Sequence, residues 1–185
     1  MTSFEVKYIL ARNPQDLAEV YQVRINAWKT SGYLNKEDYP NGWSDSLDEN
    51  GLVWAAKVGS RIIGSCRTNL FQNPNDVDYS RAMDLITFCN SKHMNIKFPV
   101  AYNSRMVVLP ECRGRGIASG LDSLRMTHLL RSNVATVIAT TDLDWRRDSL
   151  ISKGWEFAGS THPEFDETGT LGVSHIVKLD LSIAL

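Results

Sequence analysis

The chain has 185 residues, of which 43% are hydrophobic and 22% are charged, and its formal net charge is −1. This length suits one domain and hardly two, and the composition is that of a soluble globular protein rather than of a disordered chain or a disulfide scaffold. We therefore expect a single domain over residues 1–185. Nucleic-acid-binding domains usually carry a basic excess, so the net charge of −1 predicts no nucleic-acid partner.

The first half of the chain predicts three strands and two helices, separated by polar, glycine-punctuated loops. Asn13 followed by Pro14 is typical of a helix start, because proline suits the first turn. Gly59-Ser60 suits a two-residue hairpin turn. In chain order, we predict a strand over 4–10, a helix from Pro14, a loop over 30–50, strands over 52–58 and 61–70, a loop over 73–76 and a helix that ends near His93. The apolar face of the first helix is predicted to comprise Leu17, Tyr21, Ile25 and Trp28.

The second half predicts a strand–helix–strand unit that should be parallel and right-handed, followed by a short helix and two strands. The fold class is therefore α/β: a central, twisted, mixed sheet of six to seven strands flanked by helices. We predict strands over 100–108, 134–139, 155–158 and 173–181, and helices over 116–130 and 146–152. One side of the longer helix is predicted to carry Leu121, Leu124 and His128.

The cysteines and the N-terminus indicate the compartment. Cys66, Cys89 and Cys112 are far apart and lack any CxxC or nearby histidine spacing, which argues against a zinc site and a disulfide framework. The N-terminal residues 1–10 carry an acid and a base where a signal peptide has its apolar core. No apolar run approaches the roughly 20 residues that span a bilayer. We expect a cytoplasmic protein with no metal and no membrane partner.

Residues 106–120, MVVLPECRGRGIASG, run from an apolar strand through a basic, glycine-rich turn into a helix. The N-terminus of a helix has unpaired backbone N–H groups and a partial positive charge. Glycines just before it allow the backbone to approach a ligand closely, because they have no Cβ. This combination predicts an anion site, most naturally for phosphates.

Three phosphate-binding motifs compete for this stretch. A P-loop requires Lys-Ser/Thr after its last glycine, but Ile117-Ala118 follows Gly116. A dinucleotide fingerprint requires glycine where Ser119 stands. The stretch resembles instead the pyrophosphate loop of the GNAT acyltransferase superfamily, in which Arg or Gln, two residues, Gly, one residue and Gly or Ala bind coenzyme A. Arg113, Gly116 and Ala118 occupy the three fixed positions.

The resemblance implies an N-acyltransferase, most simply an N-acetyltransferase, that uses acetyl-CoA or another acyl-CoA and needs no metal. The acceptor would be a small-molecule or peptide amine that attacks the thioester directly in a ternary complex, and a homodimer is compatible with it. The strand before the loop would pair with the pantetheine arm. The implied coenzyme A-binding residues are Met106, Val107, Val108, Arg113, Gly114, Arg115, Gly116, Ile117, Ala118 and Ser119.

A narrower resemblance is to the acyl-homoserine-lactone synthases and the related N-acyl amino acid synthases. In that branch an arginine precedes an aromatic residue by four on the first helix, and Asp-x-x-Asp, Gly-x-x-Arg and Ser-Arg elements follow. The matching residues are Arg24 and Trp28, Asp45 and Asp48, Gly64 and Arg67, and Ser104 and Arg105. Two interpretations stay open: a solvated salt-bridge network, or the wall of an acceptor site in which Asp45, Arg67 and Arg105 bind substrate and Asp45 or Asp48 receives a cationic amine.

The usual catalytic pair is not present. Tyr102 stands where the lactone synthases have a glutamate, and Leu150 stands where many GNAT enzymes have a tyrosine acid. A general base must lie near the proton of the acceptor amine. The residues that could handle protons are Tyr102, Asn103 and Asp48, with Asp142 as a further candidate. Two alternatives therefore accompany acyl-CoA transfer: a longer acyl chain delivered by acyl carrier protein, or a coenzyme A-binding regulatory module without catalysis.

Overall fold

The computed structural model describes residues 5–29, 39–77, 80–161 and 174–181. These residues form seven strands and four α-helices. Parts of the predicted strands over 4–10 and 173–181, and of the predicted loop over 30–50, lie outside the described residues. The strands are β1 (Lys7–Leu10), β2 (Leu52–Val58), β3 (Arg61–Phe71), β4 (Val100–Val108), β5 (Thr136–Thr141), β6 (Glu156–Thr161) and β7 (Ser174–Asp180); the helices are α1 (Pro14–Lys29), α2 (Ser80–Ser91), α3 (Ile117–Arg131) and α4 (Asp144–Ile151).

The strands form one mixed sheet in the order β1-β2-β3-β4-β5-β7-β6. β1 with β2, β2 with β3, β5 with β7 and β6 with β7 are antiparallel, whereas β4 and β5 are parallel. The predicted α/β class, the strand count and the parallel strand–helix–strand unit are therefore confirmed.

The boundary of β5 differs from its predicted one for a reason in the backbone. Asn133 has a left-handed φ of 53°, and the N–H of Val134 donates to Leu129 O at 3.3 Å. This closes α3 in the manner of a left-handed C-cap. Val134 therefore completes the helix exit, and β5 begins at Thr136 instead of residue 134. Ala135 joins the two elements, since its N–H donates to Pro99 O and its carbonyl accepts from the Leu181 N–H, both at 2.9 Å.

The chain divides into two compact units. Unit 1 comprises Met1–Thr68 and Ser104–His128, and unit 2 comprises Asn69–Asn103 and Leu129–Leu185. The core of unit 1 is made by α1, β2, β3, the end of β4 and the start of α3, with Val20, Val53, Ile62 and Leu121 at 1% exposure or less.

The predicted apolar face of α1 is wrong by part of a turn. Of its four predicted members only Ile25 is fully buried, while Leu17, Tyr21 and Trp28 pack at the margin of the core. The most buried line runs instead through Val20, Val23, Arg24 and Ala27. A hydropathy pattern places arginine on the solvent side, but Arg24 is fully buried because it is paired with Asp48.

The predicted face of α3 is wrong for the same reason. Leu121 is buried, but Leu124 and His128 are only partly so. Arg125 is 3% exposed, and its Nη2 lies 2.6 Å from the Asp122 carboxylate one turn earlier. Both helices of unit 1 thus bury an arginine whose charge is matched by an aspartate.

Candidate functional site

The glycine loop, residues 113–119, connects the end of β4 to α3 in unit 1. Pro110–Cys112 forms a short 3-10 turn, after which residues 113–116 are exposed. Gly114 and Gly116 have φ angles of 76° and 75°, in the left-handed region that favours glycine. A Cβ at either position would meet no atom within 4 Å, so the backbone conformation and not crowding requires glycine here. The open side of this backbone is accessible to a ligand.

The first turn of α3 presents unbonded donors beside these glycines. The N–H of Gly120 donates to Gly116 O at 2.9 Å. The N–H groups of residues 117–119 precede this bond and have no acceptor within the helix. Ile117 is buried and anchors the turn in the core, while Ser119 is exposed. Free N–H groups at the positive end of a helix, next to an exposed glycine backbone, fit the two negative phosphates of a diphosphate.

The side chain of Arg113 is directed away from the glycines and hydrogen-bonds to the protein backbone. Its Nε donates to Val108 O at 3.1 Å, and its Nη2 donates to Ala27 O at 3.3 Å. The guanidinium therefore joins the end of β4 to the last turn of α1 and holds the start of the loop. Arg115 is exposed and lies between the two glycines.

The strand before the loop is well anchored. Val107 is buried in the core of unit 1, and Met106 and Val108 pack against that core with partial exposure. The N–H of Leu109 donates to Ile63 O at 2.9 Å. Gly64 on β3 allows this close approach, because a Cβ there would lie 3.0 Å from Val107 O.

Five charged residues that the sequence analysis singled out lie together in unit 1. We call them the arginine–aspartate network. Arg24 donates both terminal nitrogens to Asp48, at 2.7 and 2.8 Å, and Arg67 lies 3.2 Å from the same carboxylate. Arg67 also donates to Asp45, and Arg105 donates to the other oxygen of Asp45 at 2.7 Å. Side-chain exposure is 0% for Arg24, 1% for Arg67 and 3% for Asp48, so the network is buried and not solvated as one interpretation expected.

Both carboxylates also cap a short 3-10 helix, Ser46–Asp48. Asp45 accepts from the N–H of Leu47 at 3.0 Å, and Asp48 accepts from the N–H of Asp45 at 3.1 Å. This is a capping box. Every carboxylate oxygen of Asp45 and Asp48 therefore accepts at least one hydrogen bond from the protein.

Arg105 lies at the accessible end of the network. Its side chain and that of Asp45 are each 16% exposed. Its φ of 57° is left-handed, which is costly for a side chain other than glycine. The guanidinium stacks on Trp43, 3.6 Å from the ring centroid, and lies 5.7 Å from the ring of Trp28. The neighbouring Ser104 accepts a hydrogen bond from Arg67 Nε at 3.2 Å.

The arginines determine the ionisation of the aspartates. Burial alone would raise the pKa of Asp48, but hydrogen bonds and charge from Arg24, together with the charge of Arg67, outweigh burial and hold that pKa below its usual value. Burial would likewise raise the pKa of Asp45, but hydrogen bonds and charge from Arg67 and Arg105 outweigh burial and lower that pKa. Both carboxylates are thus ionised at neutral pH. Within these five residues, three guanidinium groups face two carboxylates.

The remaining predicted site residues lie in unit 2. Tyr102 is 5% exposed, and it borders a small apolar space with Phe71, Leu85, Ile86 and Ile138. Asn103 is 1% exposed. The proton-handling roles of Tyr102 and Asn103 stay predictions.

One member of this site has no signal in the sequence. Trp43 stands in the predicted polar loop, yet it is 5% exposed and packs edge-on against Trp28 with ring centroids 5.0 Å apart. The guanidinium of Arg105 stacks on its ring. The Asp45-x-x-Asp48 spacing did contain a usable signal, because an acid three residues after an Asp cap indicates a capping box.

The described part of the chain has neither a metal-binding cluster nor a membrane-spanning helix. No group of three or more His, Cys, Asp or Glu side chains there is placed to hold a metal ion. None of the described helices combines the length and the apolar character needed to cross a membrane.

Comparison of the sequence with protein families identifies the class of protein that has this sheet order and this glycine loop. The profile of the Acetyltransferase (GNAT) family matches residues 15–149. The chain therefore belongs to the GNAT acetyltransferase family, a family of enzymes. Comparison with curated protein sequences finds no significant match.

Solved structures share this fold over nearly the whole chain. FeeM, an N-acyl amino acid synthase from uncultured soil microbes, superposes with a TM-score of 0.69 at 12% identity, covering 96% of this chain and 92% of its own. A GNAT family acetyltransferase from Brucella melitensis in complex with acetyl-CoA gives 0.57 at 17% identity, covering 97% and 90%. Naa50 of Arabidopsis thaliana, in complex with the bisubstrate analogue CoA-Ac-MVNAL, gives 0.61 at 13% identity, covering 95% and 99%. At these identities the likeness establishes the fold.

Proposed function

We propose that the chain is an N-acyltransferase that moves an acyl group from acyl-CoA to an amine by direct attack. The observation that carries this proposal is the glycine loop: two left-handed, exposed glycines lead into the free N–H groups of α3. In the proposal, the backbone of residues 114–119 binds the diphosphate, and Arg113 supports the loop from behind. The Brucella relative, whose structure holds acetyl-CoA, supports the same donor.

The reaction forms one bond and breaks another. The amine nitrogen attacks the thioester carbonyl, a C–N bond forms, the C–S bond breaks, and coenzyme A leaves as the thiol. In the proposal, Met106, Val107 and Val108 align the donor, and a backbone N–H there stabilises the developing oxyanion. Most of the rate enhancement would come from holding the two reactants together. Tyr102 and Asn103 are the proposed proton-handling residues.

Asp48 suits the network better than it suits catalysis. Its two oxygens already accept from Arg24, Arg67 and the Asp45 N–H, and its pKa is lowered. A carboxylate that is held ionised by two arginines is a weak base. We therefore propose that Asp48 organises the acceptor wall and that the amine proton leaves by another path.

The contacts of the network suggest the acceptor. A cationic amine would have to bind carboxylates whose oxygens already accept hydrogen bonds from the protein. An amine that also carries a carboxylate suits Arg105 better, because Arg105 lies at the accessible end beside Trp28 and Trp43 and has the donor geometry that carboxylates match. We propose an amino-acid-like acceptor, with Arg67 and Asp45 orienting Arg105. FeeM, an N-acyl amino acid synthase, supports this choice.

The loop assignment is tested by calorimetric titration of coenzyme A. Gly116→Trp places a large side chain at a left-handed position where the backbone must approach the diphosphate, so we expect affinity to fall at least tenfold. Gly59→Trp is the matched control, because Gly59 also has a left-handed φ, 59°, and open space around its Cβ, but lies in the β2–β3 turn. Equal affinities of the two variants would show that the loop is not the site.

The donor is tested by turnover with matched acetyl, hexanoyl and palmitoyl groups on coenzyme A and on acyl carrier protein. We expect turnover with the coenzyme A series, because coenzyme A contains the diphosphate that the glycine loop would bind. A carrier protein presents only phosphopantetheine, which has a single phosphate and no diphosphate. Activity confined to the carrier-bound series would establish the alternative donor. Binding of coenzyme A without thiol release, across a panel of amines, would establish the non-catalytic module.

The acceptor class is tested by comparing an amino acid with its amide, which retains the amine but lacks the carboxylate. We expect wild type to prefer the acid, and Arg105→Gln to remove most of that preference by raising KM for the acid only, as loss of uniform binding does. Arg61→Gln is the control, because Arg61 pairs with Glu111 on the surface, with both side chains more than half exposed. A preference that Arg105→Gln leaves unchanged would contradict the assignment.

A further inference from the structure

The side chain of Arg113 joins the glycine loop to two other elements of unit 1. Its Nε donates to Val108 O at 3.1 Å, at the end of β4, and its Nη2 donates to Ala27 O at 3.3 Å, in the last turn of α1. Arg113 directly precedes Gly114, the first of the two left-handed glycines of the loop. The residue that opens the loop is therefore bonded to both β4 and α1.

The end of α1 suits a guanidinium. Because α1 ends at Lys29, the carbonyl of Ala27 is among the last four of the helix, at the end that carries a partial negative charge. A guanidinium is always charged and presents several N–H donors in one plane. One arginine can therefore bond to carbonyls of two elements at once, whereas a methionine of similar length can bond to neither.

The two elements that Arg113 joins also hold the proposed carboxylate-binding residue, Arg105. Trp28 follows Ala27, and its ring packs against Trp43 with centroids 5.0 Å apart and lies 5.7 Å from the guanidinium carbon of Arg105. Arg105 itself lies on β4, the strand that ends at Val108. The contact between Trp28 and Arg105 therefore depends on how the last turn of α1 lies against β4.

A ligand at the loop would strengthen this link. Arg113 is exposed, and the end of a helix opens at a smaller cost in free energy than its middle. A diphosphate bound at residues 114–119 would fix the backbone from which the Arg113 side chain leaves. Fixing that backbone first lowers the entropy that the side chain loses when it holds Ala27 O. Order at the loop would thus be passed to the last turn of α1.

We propose that Arg113 is a positioning residue that couples the two substrate sites. Coenzyme A bound at the glycine loop fixes the last turn of α1 through Arg113 and holds Trp28 beside Arg105, so the acceptor carboxylate binds more tightly to the loaded protein. By linkage, the acceptor strengthens the binding of coenzyme A by the same factor, which we expect to be about fivefold, the lower end of typical couplings. The inference rests on the proposed function, whose glycine loop and Arg105 it connects.

Hydrogen exchange of the full chain, with and without saturating coenzyme A, tests the link without an acceptor. In wild type, peptide mass spectrometry should show that coenzyme A slows exchange about fivefold both at the loop, residues 113–120, and at the last turn of α1, residues 26–29. In Arg113→Met the loop should still be protected, but the effect at α1 should be lost. At saturating acyl-CoA, Arg113→Met should also raise KM for the amino acid of the acceptor test about fivefold, and Arg113→Lys, which keeps a charged donor, should recover part of that loss.

Arg61→Met is the matched control, because Arg61 bonds to Glu111 in the turn just before the loop, and both side chains are more than half exposed. It should keep the response of α1 to coenzyme A, and circular dichroism checks that every variant is folded. A wild-type loop that is protected while α1 is unchanged, or an α1 response that persists in folded Arg113→Met, would overturn the inference. If coenzyme A protected neither segment, the proposed function would fail, and the inference with it.

Discussion

Replacing Asp48 by Asn should destabilise the protein strongly, although the two side chains have almost the same shape. Asp48 is the acceptor for both terminal nitrogens of Arg24 and lies 3.2 Å from Arg67, and these arginines are 0% and 1% exposed. An amide at position 48 would turn an N–H group toward a guanidinium and leave one carboxylate, Asp45, for three guanidinium groups. The neighbouring Asp45 cannot compensate, because its oxygens already serve Arg67, Arg105 and the Leu47 N–H.

Breaking one partner of a buried pair costs about 3–5 kcal/mol. At roughly 2–4 °C per kcal/mol for a chain of this size, Tm should fall by about 6–20 °C. Differential scanning calorimetry of Asp48→Asn, with Glu111→Gln as control, measures this directly. Glu111 pairs with Arg61 on the surface, where an ion pair contributes little, so the control should melt with the wild type.

The apolar double variant separates a lost charge partner from a lost shape. Arg24→Met with Asp48→Leu removes both members of the pair, and such a replacement is often nearly neutral. It should therefore melt above Asp48→Asn. If Asp48→Asn melted within about 2 °C of wild type, about 1 kcal/mol or less on the same scale, the buried network would not stabilise the fold.

Three further predictions follow from burial and charge. The pKa values of Asp45 and Asp48 are lowered in the folded protein, so these carboxylates stabilise the fold fully above about pH 4, the unfolded pKa, and lose that effect as the pH falls through the lower folded pKa values. Acid unfolding monitored by fluorescence should therefore be less steep in Asp48→Asn than in wild type. Equal steepness in the two proteins would contradict this. Burial raises the pKa of the Cys89 thiol to about 11, so Ellman's reagent at pH 8 should modify it only after unfolding, and rapid modification in the native state would contradict its burial. Gly64→Ala should cost about 1–3 kcal/mol by overpacking, because its Cβ would meet Val107 O at 3.0 Å; an unchanged Tm would show that β3 and β4 can separate.

The sequence was sufficient for the architecture because apolar periodicity and turn residues are local. The hairpin at Gly59-Ser60 and the glycine loop before α3 both occur as predicted. The faces of α1 and α3 could not be predicted from hydropathy, because Arg24 and Arg125 are buried beside aspartates. The tertiary structure brings Asp48 to Arg24, whereas Asp122 lies three residues before Arg125 on the same helix and is a local signal that hydropathy does not count. Charge pairing overrides hydropathy at both positions.

The site was only partly predictable for a related reason. A network is indicated by the sequence elements Asp45-x-x-Asp48 and Ser104-Arg105. These elements do not indicate that the network is buried. Its contact with Trp43 requires the fold.

The central claim is that this chain transfers an acyl group from coenzyme A to an amine by way of the glycine loop. It is tested most directly by incubating the protein with acetyl-CoA labelled with ¹³C in the acetyl group and with an amino acid, and following free thiol and labelled product together. We predict one N-acetylated amine for each thiol released in wild type and in Gly59→Trp, and a loss of both in folded Gly116→Trp. Thiol release without labelled amine, or equal turnover in Gly116→Trp, would contradict the account.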